Sequence, residues 1–276
     1  AYEISCSLVG SEMCIRDSIN NDPLPKERYN QFVGALRDMT DEELIADFLR
    51  KKEEYAERGT SFKSMTPSIN GILKERMLAI PGWQAEVDIF NDRTGIIGKT
   101  EWRLDFACDD AFCVEVAFNH GEAIAWNLLK PVLSCELNHV EKAVQGQIGI
   151  YVCATDNMKI AANIDSSSGS FEKVLRYLPP MMNQLTIPMM IIGLEPFETF
   201  KIDSDAEVVR SNPNIDESLL GHKVAVTHID DYSLYKGNVI NVDMSIEGNA
   251  IITVEKSHNN RKKFEERVIR FLEILN

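Results

Sequence analysis

Two uninterrupted apolar runs constrain the fold of this chain more than any other feature. Ile148–Ala154 reads Ile-Gly-Ile-Tyr-Val-Cys-Ala, and 187–194 reads Ile-Pro-Met-Met-Ile-Ile-Gly-Leu. Neither alternates polar with apolar side chains. A strand can be apolar on both faces only where both faces are covered, which is the situation of an inner strand layered between helices. Helical patterns surround the two runs. Thr40 with Glu43 three residues on is a capping box, and Leu44, Ile45, Phe48 and Leu49 then recur at helical spacing until Gly59. A second helix is expected from Thr66-Pro67, where proline suits the first turn, with Ile69, Ile72, Leu73, Met77 and Leu78 as its apolar stripe. Pro81-Gly82 stops it. Residues 83–90 alternate as a strand, and 121–144 predicts a long helix with Ile124, Leu128, Leu129, Val132 and Leu133 inward and a kink at Pro131. Another helix is expected over 171–184. Helices first, then an antiparallel meander, then alternating helix and strand predict an α/β fold: a mixed β-sheet flanked by helices.

The ends of the chain read differently. Residues 1–18 lack the basic start and long apolar core of a signal peptide. Their run from Leu8 to Ser18 resembles translated sequencing-adapter read-through, so a non-native leader outside the fold is expected. The main domain is expected over 19–202, and polar residues 203–218, containing Ser211-Asn212-Pro213-Asn214, suggest a linker. Over 219–276, Lys223–His228, 237–242 and 250–254 are short strands with turns between them, which suggests a small all-β barrel ending in a helix or strand at 267–275. The six cysteines show neither metal-ligand spacing nor a compact disulfide framework, which points to a reducing, cytoplasmic setting. No apolar stretch is long enough to span a membrane.

The chemistry is concentrated in residues 101–120. Two short strands are expected there, joined by a turn at Cys108-Asp109-Asp110-Ala111. A turn centred on Asp110 sets Asp105 directly opposite Glu115, and cross-strand neighbours have Cβ atoms about 4.5–5.5 Å apart. Facing carboxylates repel unless a proton or a cation lies between them. A hard divalent ion resolves the repulsion, and magnesium uses one or two protein carboxylates together with water and substrate phosphate. Ordinary solvated acids on a strand face give the same pattern in a chain with 43 acidic residues.

With these residues named, the segment from Asn70 to Glu195 resembles the BglII-type restriction endonucleases, a branch of the PD-(D/E)xK nuclease fold. The helix before Gly82-Trp83, the strand Glu86-Val87-Asp88-Ile89, the run Arg103-Leu104-Asp105-Phe106, the strand Val114-Glu115-Val116-Ala117-Phe118-Asn119 and the later apolar strands carry the resemblance. It implies a homodimeric, magnesium-dependent enzyme that cuts both strands of double-stranded DNA at a short palindrome (type II restriction, P subtype). By the same resemblance Asp105 and Glu115 take the metal positions, and Val116 adds its backbone carbonyl. Ala117 departs from the pattern: the wider fold has lysine there, and this branch glutamine or glutamate. Glu101, Asn119 and His120 are the candidate stand-ins. Glu75 on the preceding helix is a candidate to back the metal, and Lys74, Lys99 and Arg103 to meet phosphates. A net charge of −14 excludes a uniformly basic nucleic-acid binder, but not a nuclease whose site acids are offset by metal. The alternative implied by Ala117 is a DNA- or protein-binding protein that keeps the nuclease fold without catalysis. The sequence leaves the partner of the C-terminal strands open.

Overall fold

The computed structural model describes residues 4–9, 23–91, 102–108, 111–136, 141–211, 215–245, 249–258 and 260–275. The chain divides into two compact units after Pro196. The strands of the first unit are β1 (Ile4–Val9), β2 (Gln84–Asp88), β3 (Arg103–Cys108), β4 (Phe112–Val116), β5 (Ile148–Ala154) and β6 (Met189–Leu194). They form one mixed sheet in the order β1-β6-β5-β4-β3-β2. The strands β2, β3 and β4 run antiparallel as a meander, while β4, β5 and β6 are parallel. Every residue of β5 and β6 is buried, so the two apolar runs occupy the interior of the layered sheet, as their composition requires.

The leader expectation needs correction in one stretch. Ile4–Val9 is a strand antiparallel to β6, in register from Ile4 opposite Leu194 to Val9 opposite Met189. Without it, the backbone groups on the outer side of β6 would be left unpaired at a sheet edge, and a short segment of extended propensity satisfies them.

Among the described residues, six helices accompany the sheet: α1 (Pro23–Arg37), α2 (Asp41–Glu57), α3 (Thr66–Leu78), α4 (Ile124–Cys135), α5 (Asp156–Ala161) and α6 (Phe171–Met181). Helix α1 is an addition to those expected from periodicity. Its Phe32 is fully buried, stacked on Trp83 at 5.7 Å and tilted against Phe106 at 6.4 Å, and Trp83 stacks in turn on Phe112 at 6.5 Å. This aromatic layer supports the β3–β4 hairpin from one side. Gly82 makes the approach possible: its φ is +90°, and a Cβ there would lie 2.4 Å from Arg28 Nη2, whose guanidinium also donates to the Pro81 carbonyl.

At the start of α2, Thr40 Oγ1 accepts from the Glu43 N–H while the Glu43 carboxylate accepts from the Thr40 N–H, closing the expected capping box. Arg76 of α3 joins the same carboxylate at 2.6 Å. Thr40→Ala is expected to cost about 1 kcal/mol, read as a lowered midpoint in urea unfolding. An unchanged midpoint would show that Arg76 alone holds the helix start.

The helix expected over 121–144 is shorter. A 3-10 turn, Gly121–Ala123, leads into α4, which ends at Cys135 with Pro131 inside it. The end is fixed from beyond: Lys142 Nζ donates to the carbonyls of Leu133, Ser134 and Glu136, and Gln145 Nε2 donates to that of Cys135 at 2.6 Å. A cation on the last carbonyls satisfies acceptors the helix cannot and complements its dipole. Among the described residues no helix is long and apolar enough to cross a membrane.

The second unit is all β. A hairpin of β7 (Phe200–Ile202) and β8 (Val208–Arg210) precedes β9 (Lys223–His228), β10 (Leu234–Asp243), β11 (Ile251–Ser257), β12 (Asn260–Glu265) and β13 (Ile269–Ile274). The last five form an antiparallel sheet in the order β12-β11-β10-β9-β13 over a core of Val224, Val226, Val239, Ile252, Val254 and Phe264. The expected barrel is therefore an open sheet, with β12 and β13 at its edges among the described residues. The linker expected at 203–218 is also corrected. Polar residues there build a tight turn, in which the Asp203 carboxylate accepts from the Asp205 and Glu207 N–H groups and lets Val208–Arg210 fold back on β7.

Candidate active site

The β3–β4 ladder pairs Phe106 with Val114, Ala107 with Cys113 and Cys108 with Phe112. Continued one step, this register sets Asp105 opposite Glu115. The turn residues Asp109 and Asp110 lie outside the described residues. The charge of Asp105 is felt at Glu115. Burial, then the charge of Asp105, pushes the Glu115 carboxyl up to about 8, against the relief given by Lys130. Burial likewise raises Asp105, opposed by the Val116 N–H and by Lys130 and reinforced by Glu86. Glu115 is 4% exposed, while Asp105 stays partly open, so solvent reaches the pair from the Asp105 side.

Each carboxylate is held by one contact. The Val116 N–H donates to Asp105 Oδ2 at 2.6 Å, and Lys130 Nζ donates to Glu115 Oε1 at 2.7 Å. Glu115 Oε2 is buried with no hydrogen-bond partner among the described residues. A buried carboxylate oxygen without a donor is costly. The resemblance implies a metal-facing carbonyl for Val116; the contact seen is through its N–H.

Lys130 is not among the residues that the sequence brings forward, yet a signal is present. The inner face of α4 buries Asn127, Lys130 and Ser134, three polar residues at helical spacing on an otherwise apolar helix. Each meets a partner across the sheet. Asn127 donates to Asn119 Oδ1 at 3.0 Å and hydrogen-bonds the Tyr151 hydroxyl, Lys130 meets Glu115, and Ser134 Oγ accepts from the Cys113 thiol at 3.3 Å. Glu86 is a second residue that only the structure brings to the site. It lies between the β2–β3 pairs Ala85–Phe106 and Val87–Leu104, so by count it faces Asp105. Its φ of +52° is uncommon for a side-chain-bearing residue.

The other candidates are spread more widely. Asn119 is engaged by Asn127, and His120 Nδ1 lies 2.6 Å from Ser167 Oγ, so both are tied to neighbouring elements rather than to the carboxylates. Lys74 pairs with Glu86, one strand removed from the hairpin, and Glu75 is exposed on α3. Arg103 is committed to Asp88 of β2, its Nε 2.8 Å from Oδ1. Glu101 and Lys99 lie outside the described residues. Ala117 is buried within the apolar cluster that includes Leu128, Val132 and Tyr151, so this strand position offers no polar group.

Two neighbouring carboxylates, one with an oxygen unpartnered among the described residues, fit a divalent cation with oxygen ligands. Among the described residues no group of three or more His, Cys, Asp or Glu side chains forms a cage.

No curated protein sequence matches the chain. Among solved structures it is similar to restriction endonuclease BglII complexed with a DNA 16-mer, at 14% identity over 95% of this chain and 100% of that one, with a TM-score of 0.49. It is also similar to free BglII, at 13% identity over 87% and 96% of the two chains, with a TM-score of 0.38. The model of the restriction endonuclease BglII/BglIII family matches residues 29–194, a span that contains β2 to β6 and both carboxylates. The chain belongs to the BglII/BglIII family of restriction endonucleases.

Proposed function

We propose that this protein is a magnesium-dependent, site-specific endonuclease that hydrolyses phosphodiester bonds of double-stranded DNA, acting as a homodimer on a palindromic site (type II restriction, P subtype). The observation that carries the reading is the Asp105–Glu115 pair, in which a buried Glu115 carboxyl is raised by the neighbouring Asp105 charge and keeps one oxygen unpartnered among the described residues. Asp105 and Glu115 would hold the ion, with the Val116 carbonyl as a further oxygen. Bound there, magnesium supplies Lewis-acid stabilisation of the phosphoryl oxygens and acidifies water near them.

The chain's own residues do the rest by positioning. The Val116 N–H fixes the Asp105 carboxylate, Lys130 fixes Glu115, and the apolar cluster beneath, with Ala117 in it, keeps bulk water from the buried side. Ala117 has no proton to give or take. A dimer with an isologous interface matches the two-fold symmetry of a palindrome.

The test is digestion of a long DNA of known sequence with magnesium and, in parallel, with a chelator. Discrete fragments that vanish with the chelator are expected. Intact DNA at all magnesium concentrations would reject the assignment. The apolar side chain of Ala117 favours one other reading, a DNA binder without catalysis; equal retardation of DNA with magnesium and with chelator, and no cutting, would be its signature.

A further inference from the structure

We infer that Lys130 is the positioning residue of this site: α4 delivers an ammonium group to Glu115, and its hold on Oε1 leaves Oε2 as the oxygen offered to the cation. The inference rests on the nuclease reading and adds a residue to it.

Three observations converge. Lys130 is 9% exposed and Glu115 4%, so the ion pair is buried on both sides. Buried ion pairs are commonly no more stabilising than apolar residues of the same volume, so a lysine here is weak as a stability device. Leucine or methionine would occupy such a buried position at lower desolvation cost.

The pair is also incomplete in a particular way. A structural pair is stable when the remaining lone pairs are satisfied, yet only Oε1 of Glu115 is engaged while Oε2 stays without a donor among the described residues. The lysine thus fixes the carboxylate plane and leaves one oxygen free. Finally, the helix that carries Lys130 is anchored at both ends. Asn127 holds Asn119 and Trp126 packs edge-on against Trp102 at 5.0 Å near its start, while Lys142 and Gln145 bind its last carbonyls. An ammonium on a helix clamped in this way is a pre-set support. Partners behind a ligand that fix its orientation typically change metal affinity or activity about 10–100-fold when removed.

The experiment measures manganese binding by electron paramagnetic resonance, and cleavage of DNA as a function of magnesium, for wild type, Lys130→Met, Lys130→Arg, Glu115→Gln and the double variant Glu115→Gln/Lys130→Met. Lys130→Met is expected to weaken manganese binding about tenfold and to lower kcat at saturating magnesium about 10–100-fold. Lys130→Arg, which keeps the charge and the donors, is expected to recover manganese binding to within about threefold of wild type. In the Glu115→Gln background the Lys130→Met change is expected to move manganese binding less than about twofold, because the residue acts through Glu115. Thermal unfolding is followed for each, and Lys130→Gln, which keeps a donor without charge, takes the place of the Met variant if the latter is unfolded.

Unaltered or tighter manganese binding in the folded Lys130 variant overturns the inference while the nuclease reading stands. So does an equal loss with and without Glu115. A wild-type protein that binds no manganese and cuts no DNA overturns both.

Discussion

Asp105→Asn and Glu115→Gln are each expected to abolish the proposed magnesium-dependent cleavage, lowering kcat by about a thousandfold or more. Charge stabilisation by a bound ion contributes several kcal/mol to the barrier, and each 1.36 kcal/mol is a factor of ten in rate. Either substitution removes one negative ligand of a two-carboxylate site. The surroundings of Glu115 offer no substitute: among the described residues its second oxygen has no hydrogen-bonding neighbour to take over. DNA binding without divalent ions is not expected to fall with it. Asp105→Asn removes negative charge from the side meant to face a phosphate, so affinity stays equal or rises, most clearly at low salt. Glu115→Gln replaces a carboxyl that keeps its proton up to about pH 8 without metal, and leaves affinity near neutral pH unchanged. Gel retardation in chelator measures this and also shows that the variants are folded. Cutting that survives both substitutions would remove Asp105 and Glu115 from the mechanism. Cutting lost together with DNA binding would point to a collapsed hairpin instead.

The carboxylate hairpin was legible in the sequence because every constraint on it is local. A four-residue turn fixes the register, strand alternation fixes the face, and positions five residues either side of Asp110 must meet. The β3–β4 pairs follow that count. The inner strands β5 and β6 were legible for a similar reason, since an apolar run needs cover on both faces wherever it lies. What sequence could not supply were contacts across long separations. Lys130 lies fifteen residues beyond Glu115 and reaches it only once α4 has packed across the sheet. Its nearest hint, the polar spacing Asn127-Lys130-Ser134, is hidden in an apolar stripe one position away. Helix α1 escaped for another reason: Pro23 and Pro25 open it and its apolar residues make a short stripe, so its place depends on Trp83 and Phe106, more than fifty residues downstream. Asn119 and His120 looked poised at a strand end, but the loop at 165–169 comes in and takes up His120, with Gly169 N–H donating to the Asn119 carbonyl. The open C-terminal sheet was read as a barrel because strand spacing reports how many strands follow one another, not whether the first and last pair.

Without divalent ions, the protein loses stability as pH rises from about 5 to about 8, and Glu115→Gln removes most of that loss. The Glu115 carboxyl is pushed from 4.5 to about 8 in the folded chain, chiefly by burial and then by Asp105. Between those values the folded state keeps a proton that the unfolded state has released. Stability therefore falls with pH through this window, because the native state binds more protons than the unfolded one. The raised Asp105 carboxyl acts in the same sense. The full effect is on the order of a few kcal/mol. Carboxylates lowered in the folded state, among them Asp47, Asp165 and Asp216, have the opposite sign, but their contribution is present above the ordinary aspartate value of 3.8 and fades only as pH falls below it. The two windows do not overlap. Urea unfolding in chelator at about pH 5, 6.5 and 8 measures the slope. Glutamine keeps an acceptor for Lys130 Nζ and cannot ionise, so its profile is expected to be nearly flat over that range. Magnesium favours the doubly ionised pair, so adding it is expected to raise the wild-type midpoint more at pH 8 than at pH 5, and to leave Glu115→Gln nearly unmoved. Parallel pH profiles for wild type and Glu115→Gln would mean that the carboxylate ionises in the free protein without strain, and the electrostatic case for a cation between the two strands would go with it.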